Sequence, residues 1–179
     1  MSKIPLNLPN RITIARILLI PVHLALLSIG AETCRYAAAV VFAIAALTDT
    51  LDGVIARRYD LVTDFGKFMD PIADKLLVLL PFILLAVRDG GSLNMWAVMV
   101  MVGREIVVNG FRLAASTRGT VIAADWPGKL KTIVQMLSVL ALSAGLPFGW
   151  PLAWAAAVLS VYSGIAMIAR HRVVLEEGA

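Results

Sequence analysis

The sequence predicts an all-α integral membrane protein with six transmembrane helices and both termini cytoplasmic, on three observations. Apolar residues make up 60% of the 179 and charged residues only 16%, with a mean hydropathy of +0.86. Soluble domains stay near roughly 45–50% apolar. Runs near the ~20 residues that a membrane-crossing helix needs fall at 12–30, 35–56, 71–88, 95–115, 130–147 and 151–170. Finally, the basic residues segregate. With the N-terminus inside, the inner segments hold Lys3, Arg11, Arg16, Arg57, Arg58, Lys67, Lys75, Arg104, Arg112, Arg118, Lys129, Lys131, Arg170 and Arg172. The outer loops keep Arg35 and Arg88, a split of 14 to 2 among the 16 basic residues, which fixes orientation by the excess of Lys and Arg on the cytoplasmic side.

Helices rather than a barrel follow because the runs are continuous and lack the alternation of lipid-facing strands. Six spans use nearly the whole chain, so residues 1–179 read as a single membrane domain. The first run is long and has no small-residue cleavage pattern, so it reads as a retained span. Cys34, the one cysteine, excludes an intramolecular disulfide and a cysteine-based metal site. A net charge of +4 without a soluble basic domain points to anionic headgroups as the contact, not nucleic acid.

Spans two and three meet around D-T-L-D-G-V-I-A-R-R-Y-D-L-V-T-D-F-G-K-F-M-D-P-I-A-D at 49–74. Asp49 and Asp52 are three apart, and Asp70 and Asp74 four apart, so each pair shares a helical face. An ionised carboxylate beside apolar runs is expensive unless something positive compensates it. Two divalent ions with a preference for hard oxygen would balance four clustered carboxylates and clamp a phosphoryl group. Gly53 and Ala56 remove bulk on the adjacent turn, and Arg57 can reach an anion. The plainer reading makes Asp70 an N-cap with Pro71 at the first helical position, and Asp60 and Asp64 solvated loop carboxylates on an inner loop at 57–70. Met95, Met99 and Met101 read as packing residues, and His23 and Trp126 as interfacial or packing ones.

The pattern D-x2-D-G-x2-A-R-x8-G-x3-D-x3-D, met at Asp49, Asp52, Gly53, Ala56, Arg57, Gly66, Asp70 and Asp74, resembles the signature of the CDP-alcohol phosphatidyltransferases. N-L-P-N-R-I-T-I-A-R at 7–16, G-R-E-I at 103–106 and G-K-L-K-T at 128–132 are similar to its bacterial branch that uses sn-glycerol 3-phosphate. The resemblance implies that Asp49 and Asp70 bridge two Mg2+ or Mn2+ ions, that Asp52 and Asp74 complete one site each, and that Asp74 is also the general base. It implies that Gly53, Arg57 and Thr63 contact CDP-diacylglycerol together with span one. There, Asn10, Thr13 and Arg16 stand at three-residue spacing, and Arg16 reads as holding the nucleotide or diphosphate, with headgroup snorkelling as its plain alternative. It further implies a homodimer in the bacterial cytoplasmic membrane, with the active site on the cytoplasmic side.

Arg104, Arg112, Lys129 and Lys131 gather, on this reading, at the inner ends of spans four and five. Arginine forks suit phosphate, so these four read as the acceptor-phosphate site, although any inner loop is expected to be basic. Glycerol 3-phosphate is then the expected acceptor, with phosphatidylglycerophosphate and CMP as products. Alternatives are inositol phosphate or phosphatidylglycerol as acceptor, the latter forming cardiolipin, or a divalent-cation transporter, whose acids would line a path near the midplane.

Overall fold

The computed structural model describes residues 7–58, 63–120, 122–123 and 125–171, with side chains at all of these except 8, 9, 49–58, 64, 67 and 90. Among them are six α-helices: α1 Leu8–Ile29, α2 Glu32–Arg58, α3 Asp64–Leu85, α4 Gly91–Thr117, α5 Trp126–Ser143 and α6 Gly149–His171. A π-helical turn, Ala86–Gly90, follows α3. No strand occurs among the described residues.

Each start has a local cause. Asn7 caps α1 by accepting the Asn10 N–H at 3.1 Å, and Pro9 stands in the first turn, where its missing donor is harmless. Asp125 caps α5 by accepting the Gly128 N–H at 3.1 Å. Thr63 caps α3: its Oγ1 accepts the Gly66 N–H at 3.1 Å. That last cap corrects an expectation. Asp70 is not an N-cap and the loop does not run to residue 70, because the helix already begins at Asp64 and Pro71 lies inside it.

The helices are apolar on the outside. Leu18, Val22, Ile29, Val40, Ile44, Leu47, Leu93, Ile106, Val107, Leu113, Val158 and Ile165 are all exposed. On α1 the sheltered positions are instead Asn10, Thr13, Arg16, Ile20, His23 and Leu27, one stripe at three- and four-residue spacing. Polar residues inside and leucines outside is the arrangement that lipid demands and water penalises. Three helices, Asn10–Ile29, Gly91–Thr117 and Gly149–His171, are long and apolar enough to cross a membrane. This is a helical membrane protein.

The described residues form two compact units, Met1–Leu85 with Val139–Pro147, and Ala86–Ser138 with Phe148–Ala179. In the first, α1 packs extensively on both α2 and α3, whereas α2 and α3 touch each other little. Its core includes Leu27, Ala38, Phe42, Ala45, Leu77 and Phe82. His23, buried, has Nδ1 2.9 Å from the Ala38 carbonyl and its ring 5.5 Å from that of Phe42, so it ties α1 to α2 as a packing residue. In the second unit α4 packs on α6, and Val108, Phe111, Ala115, Ile122 and Met167 form a buried cluster.

Candidate active site

In the first unit, three hydrogen bonds join α1 to α3 and the residue that caps it. Thr63 Oγ1 donates to Asn10 Oδ1 at 2.8 Å, Thr13 Oγ1 donates to Asp70 Oδ1 at 2.7 Å, and Arg16 Nη1 donates to Asp74 Oδ1 at 3.1 Å. Partner numbers rise together, so α1 and α3 run in the same direction. Steps of three residues on one helix and four on the other give rises of about 4.5 and 6 Å, close enough for long polar side chains to bridge. The α1 side is sealed: Asn10 and Thr13 are each 1% exposed and Arg16 is 0% exposed. Arg16 therefore does not snorkel. Its charge is met at depth by a carboxylate, which is what an intramembrane arginine requires.

Asp74, in contrast, keeps 41% of its side chain exposed. Asp70 and Asp74, one turn apart on α3, share a face as their spacing requires. Their oxygens are the hard donors that magnesium and manganese take. Gly66 leaves room beside them: a Cβ there would lie 3.3 Å from both Asn10 Oδ1 and Thr63 Oγ1, and 3.6 Å from Asp70 Oδ2. The donor chemistry of Asp70 and Asp74 therefore fits a divalent cation. Asp49, Asp52, Gly53 and Arg57 lie on the last three turns of α2, with side chains outside the described residues, and Asp60 is outside them altogether. Among the described residues no group of three metal-ligating side chains occurs.

The second unit holds a separate polar cluster. Arg104 stands midway along α4, not at its end, and its three nitrogens are all engaged. Nε donates to the Ser160 carbonyl at 2.9 Å, Nη2 to Ser163 Oγ at 2.9 Å and Nη1 to Glu105 Oε1 at 3.1 Å. The stem of Arg104 lies against α6 where Gly164 makes space, since a Cβ there would be 3.2 Å from Arg104 Cγ. Buried Lys131, on α5, also donates to Glu105 Oε1. Arg112 is partly buried, and its Nε has no hydrogen-bond partner among the described residues. Lys129 is exposed on the first turn of α5. Of the four cations expected at a phosphate, Arg104 and Lys131 are thus held by protein groups, and Arg112 and Lys129 are the more open.

Sequence reasoning passed over two residues here. Glu105 is buried between Arg104 and Lys131; its signal was an acid inside an apolar run. Gln135, one turn beyond Lys131, is buried with Nε2 unpartnered among the described residues. An apolar cleft of about 350 Å3, lined by Val100, Trp154, Ala157, Val158, Val161 and Tyr162, contains no carboxylate or cation and is not the site.

Buried polar residues of α1 thus hold two carboxylates one turn apart on α3, in an all-helical protein with three helices apolar enough to cross a membrane among the described residues. The sequence model of the CDP-alcohol phosphatidyltransferase family matches residues 6–162. The chain belongs to that family. It is 42% identical over 178 residues to the CDP-diacylglycerol--glycerol-3-phosphate 3-phosphatidyltransferase of Bacillus subtilis, covering 88% of this chain and 91% of the relative. It is 41% identical over 172 residues to a probable phosphatidylglycerophosphate synthase of Mycobacterium tuberculosis, covering 92% and 81%. A further relative, the CDP-diacylglycerol--glycerol-3-phosphate 3-phosphatidyltransferase of Rickettsia prowazekii, is 39% identical over 171 residues, covering 90% and 93%.

Proposed function

We propose that this chain transfers the phosphatidyl group of CDP-diacylglycerol to sn-glycerol 3-phosphate, giving phosphatidylglycerophosphate and CMP. The observation that carries it is the pair Asp70 and Asp74, held on one face of α3 at motif positions by Thr13 and Arg16, with Asp74 partly exposed. Relatives named for this reaction, each matching about nine-tenths of the chain, support the choice of substrates.

In this reading Asp49, Asp52, Asp70 and Asp74 hold two divalent cations, Mg2+ or Mn2+. When bound, these ions would supply positive charge to the diphosphate and to the departing CMP. Asp74 takes the proton from the attacking hydroxyl. Gly53, Arg57 and Thr63 hold the CDP moiety. Arg112 and Lys129 bind the acceptor phosphate, while Glu105 holds Arg104 and Lys131. The oxygen of glycerol 3-phosphate forms the new bond to the lipid-bearing phosphorus as the bond to the CMP oxygen breaks.

The same proposal includes six spans with both termini cytoplasmic, one catalytic domain, a bacterial cytoplasmic membrane with the active site facing the cytoplasm, and a homodimer. The family match spans both structural units, which supports a single domain. Only monomer across concentrations in mild detergent would count against the dimer.

The deciding experiment offers purified protein CDP-diacylglycerol with labelled glycerol 3-phosphate, inositol phosphate, serine or phosphatidylglycerol. Glycerol 3-phosphate should be the acceptor used. Preference for another alcohol would overturn the acceptor, and metal-ion flux without transfer would favour the transporter. In the same assay Arg112→Ala or Lys129→Ala should raise the acceptor KM about tenfold to a hundredfold, since a charge-assisted contact contributes roughly 1.5–3 kcal/mol. The donor KM should stay put.

A further inference from the structure

We propose that Thr13 and Arg16 are positioning residues for the carboxylates of Asp70 and Asp74, and that α1 acts on the reaction through those carboxylates rather than by touching the donor. The inference rests on the metal-dependent reading above.

Three observations carry it. Thr13 Oγ1 and Arg16 Nη1 donate to carboxylate oxygens, at 2.7 and 3.1 Å, and both residues are buried, at 1% and 0% exposure. A ligand would have to displace these bonds to reach them. The bonded face of α1 also continues to the start of α3, where Asn10 accepts from Thr63, and Thr63 in turn caps Gly66. The bonds therefore set both the start of α3 and the direction of its two carboxylates. Lastly, α1 is the shared neighbour of α2 and α3, which touch each other little. The element that carries Asp49 and Asp52 and the element that carries Asp70 and Asp74 are thus registered through α1.

The physical reason is rotamer freedom. A carboxylate on the first turns of a helix samples several orientations, while a cation site needs its oxygens held within about half an ångström. A hydroxyl donating to Asp70 Oδ1 and a guanidinium donating to Asp74 Oδ1 select one orientation each. Groups that orient metal ligands in this way typically alter metal affinity by about tenfold to a hundredfold when removed. Arg16 has a second effect, because its positive charge offsets part of the repulsion among the acids before any cation arrives.

The test uses the full-length protein in lipid nanodiscs and measures Mn2+ binding by electron paramagnetic resonance without substrate, alongside the KM for CDP-diacylglycerol at saturating Mn2+. Thr13→Val keeps the shape and removes the donor; Thr13→Ser restores the hydroxyl. Thr13→Val should weaken Mn2+ binding about tenfold to a hundredfold, with turnover largely recovered by excess Mn2+ and the donor KM unchanged. Thr13→Ser should bind Mn2+ close to the unsubstituted value. Arg16→Lys, which keeps the buried charge but not the planar fork, reads the other bond independently and should also weaken Mn2+ binding. Unchanged Mn2+ affinity with a raised donor KM would overturn the inference and make α1 a direct donor contact. Absence of Mn2+ binding by the unsubstituted protein would overturn the metal-dependent reading itself, and this inference with it.

Discussion

Arg16 shows how a single side chain can hold a membrane-embedded site together. A guanidinium at 0% exposure inside an apolar helix is tolerated because Asp74 meets it at 3.1 Å. The four acids should differ in what their loss does. Asp49→Asn or Asp70→Asn should abolish turnover, because each would serve both cations. Asp74→Asn should abolish turnover while sparing much of the binding of CDP-diacylglycerol, measured by equilibrium retention on detergent-solubilised protein. Activity in a folded Asp70→Asn variant would sink the two-cation reading; complete loss of donor binding in Asp74→Asn would sink the division of roles. That Asp70 and Asp74 share one face of α3 was legible in the sequence from their spacing. The partner of Arg16 was not. A long cationic side chain in an apolar run reads equally as a ligand contact or as a snorkel, and only the neighbouring helix decides.

At the scale of elements, α3 was misread at its start for a physical reason. Asp70–Pro71 has the form of a cap followed by a first-turn proline, and a proline inside a helix typically costs about 3 kcal/mol or more. The competing signal was Thr63 three residues before Gly66, whose N–H it caps. In a membrane, neighbouring groups compensate an internal proline, and the helix runs through it. Gly66 then has a steric role that the sequence shows only as a motif position. Gly66→Ala should gain about 1 kcal/mol of helix propensity and lose about 1–3 kcal/mol to overpacking, because Asn10 and Thr63 are tied to each other and cannot both retreat. Thermal stability should therefore shift little, while activity falls through the displaced Asp70 carboxylate. Full activity in Gly66→Ala would mean that the close approach does not matter. The α4–α5–α6 cluster was legible only in part: four cations were visible, but Glu105 looked incidental until its bonds to Arg104 and Lys131 were seen. That is why Arg104, expected near an inner end, is found midway along α4 with its nitrogens engaged.

For the whole molecule the open matter is topology, and each unit bears on it separately. The two residues between α1 and α2 force those helices to run oppositely, and the bonds from α1 to α3 show that these two run the same way. In the second unit Trp154 Nε1 donates to Asn94 Oδ1 and Arg104 donates to Ser160 and Ser163, so partner numbers rise together and α4 and α6 also share a direction. Alternation of this kind is what six successive spans would give. Three of the helices meet the length and hydropathy needed to cross. In α5 polar residues such as those of G-K-L-K-T dilute the signal, and the described side chains of α2 stop before D-T-L-D-G. The chain carries its own reporter: Cys34 is its one cysteine, partly exposed on the first turn of α2, where the proposed topology puts the outer face. A membrane-impermeant maleimide added to intact cells (spheroplasts where an outer membrane intervenes) should label Cys34. In a Cys34→Ser background, Arg118→Cys, at an exposed position just after α4, should stay unlabelled until the membrane is permeabilised. The positive-inside argument requires both results together, because Arg35 and Arg88 stand against fourteen basic residues on the other side. Labelling of Arg118→Cys in intact cells, with Cys34 protected, would invert the molecule and place Asp70 and Asp74 on the face away from the cytoplasm.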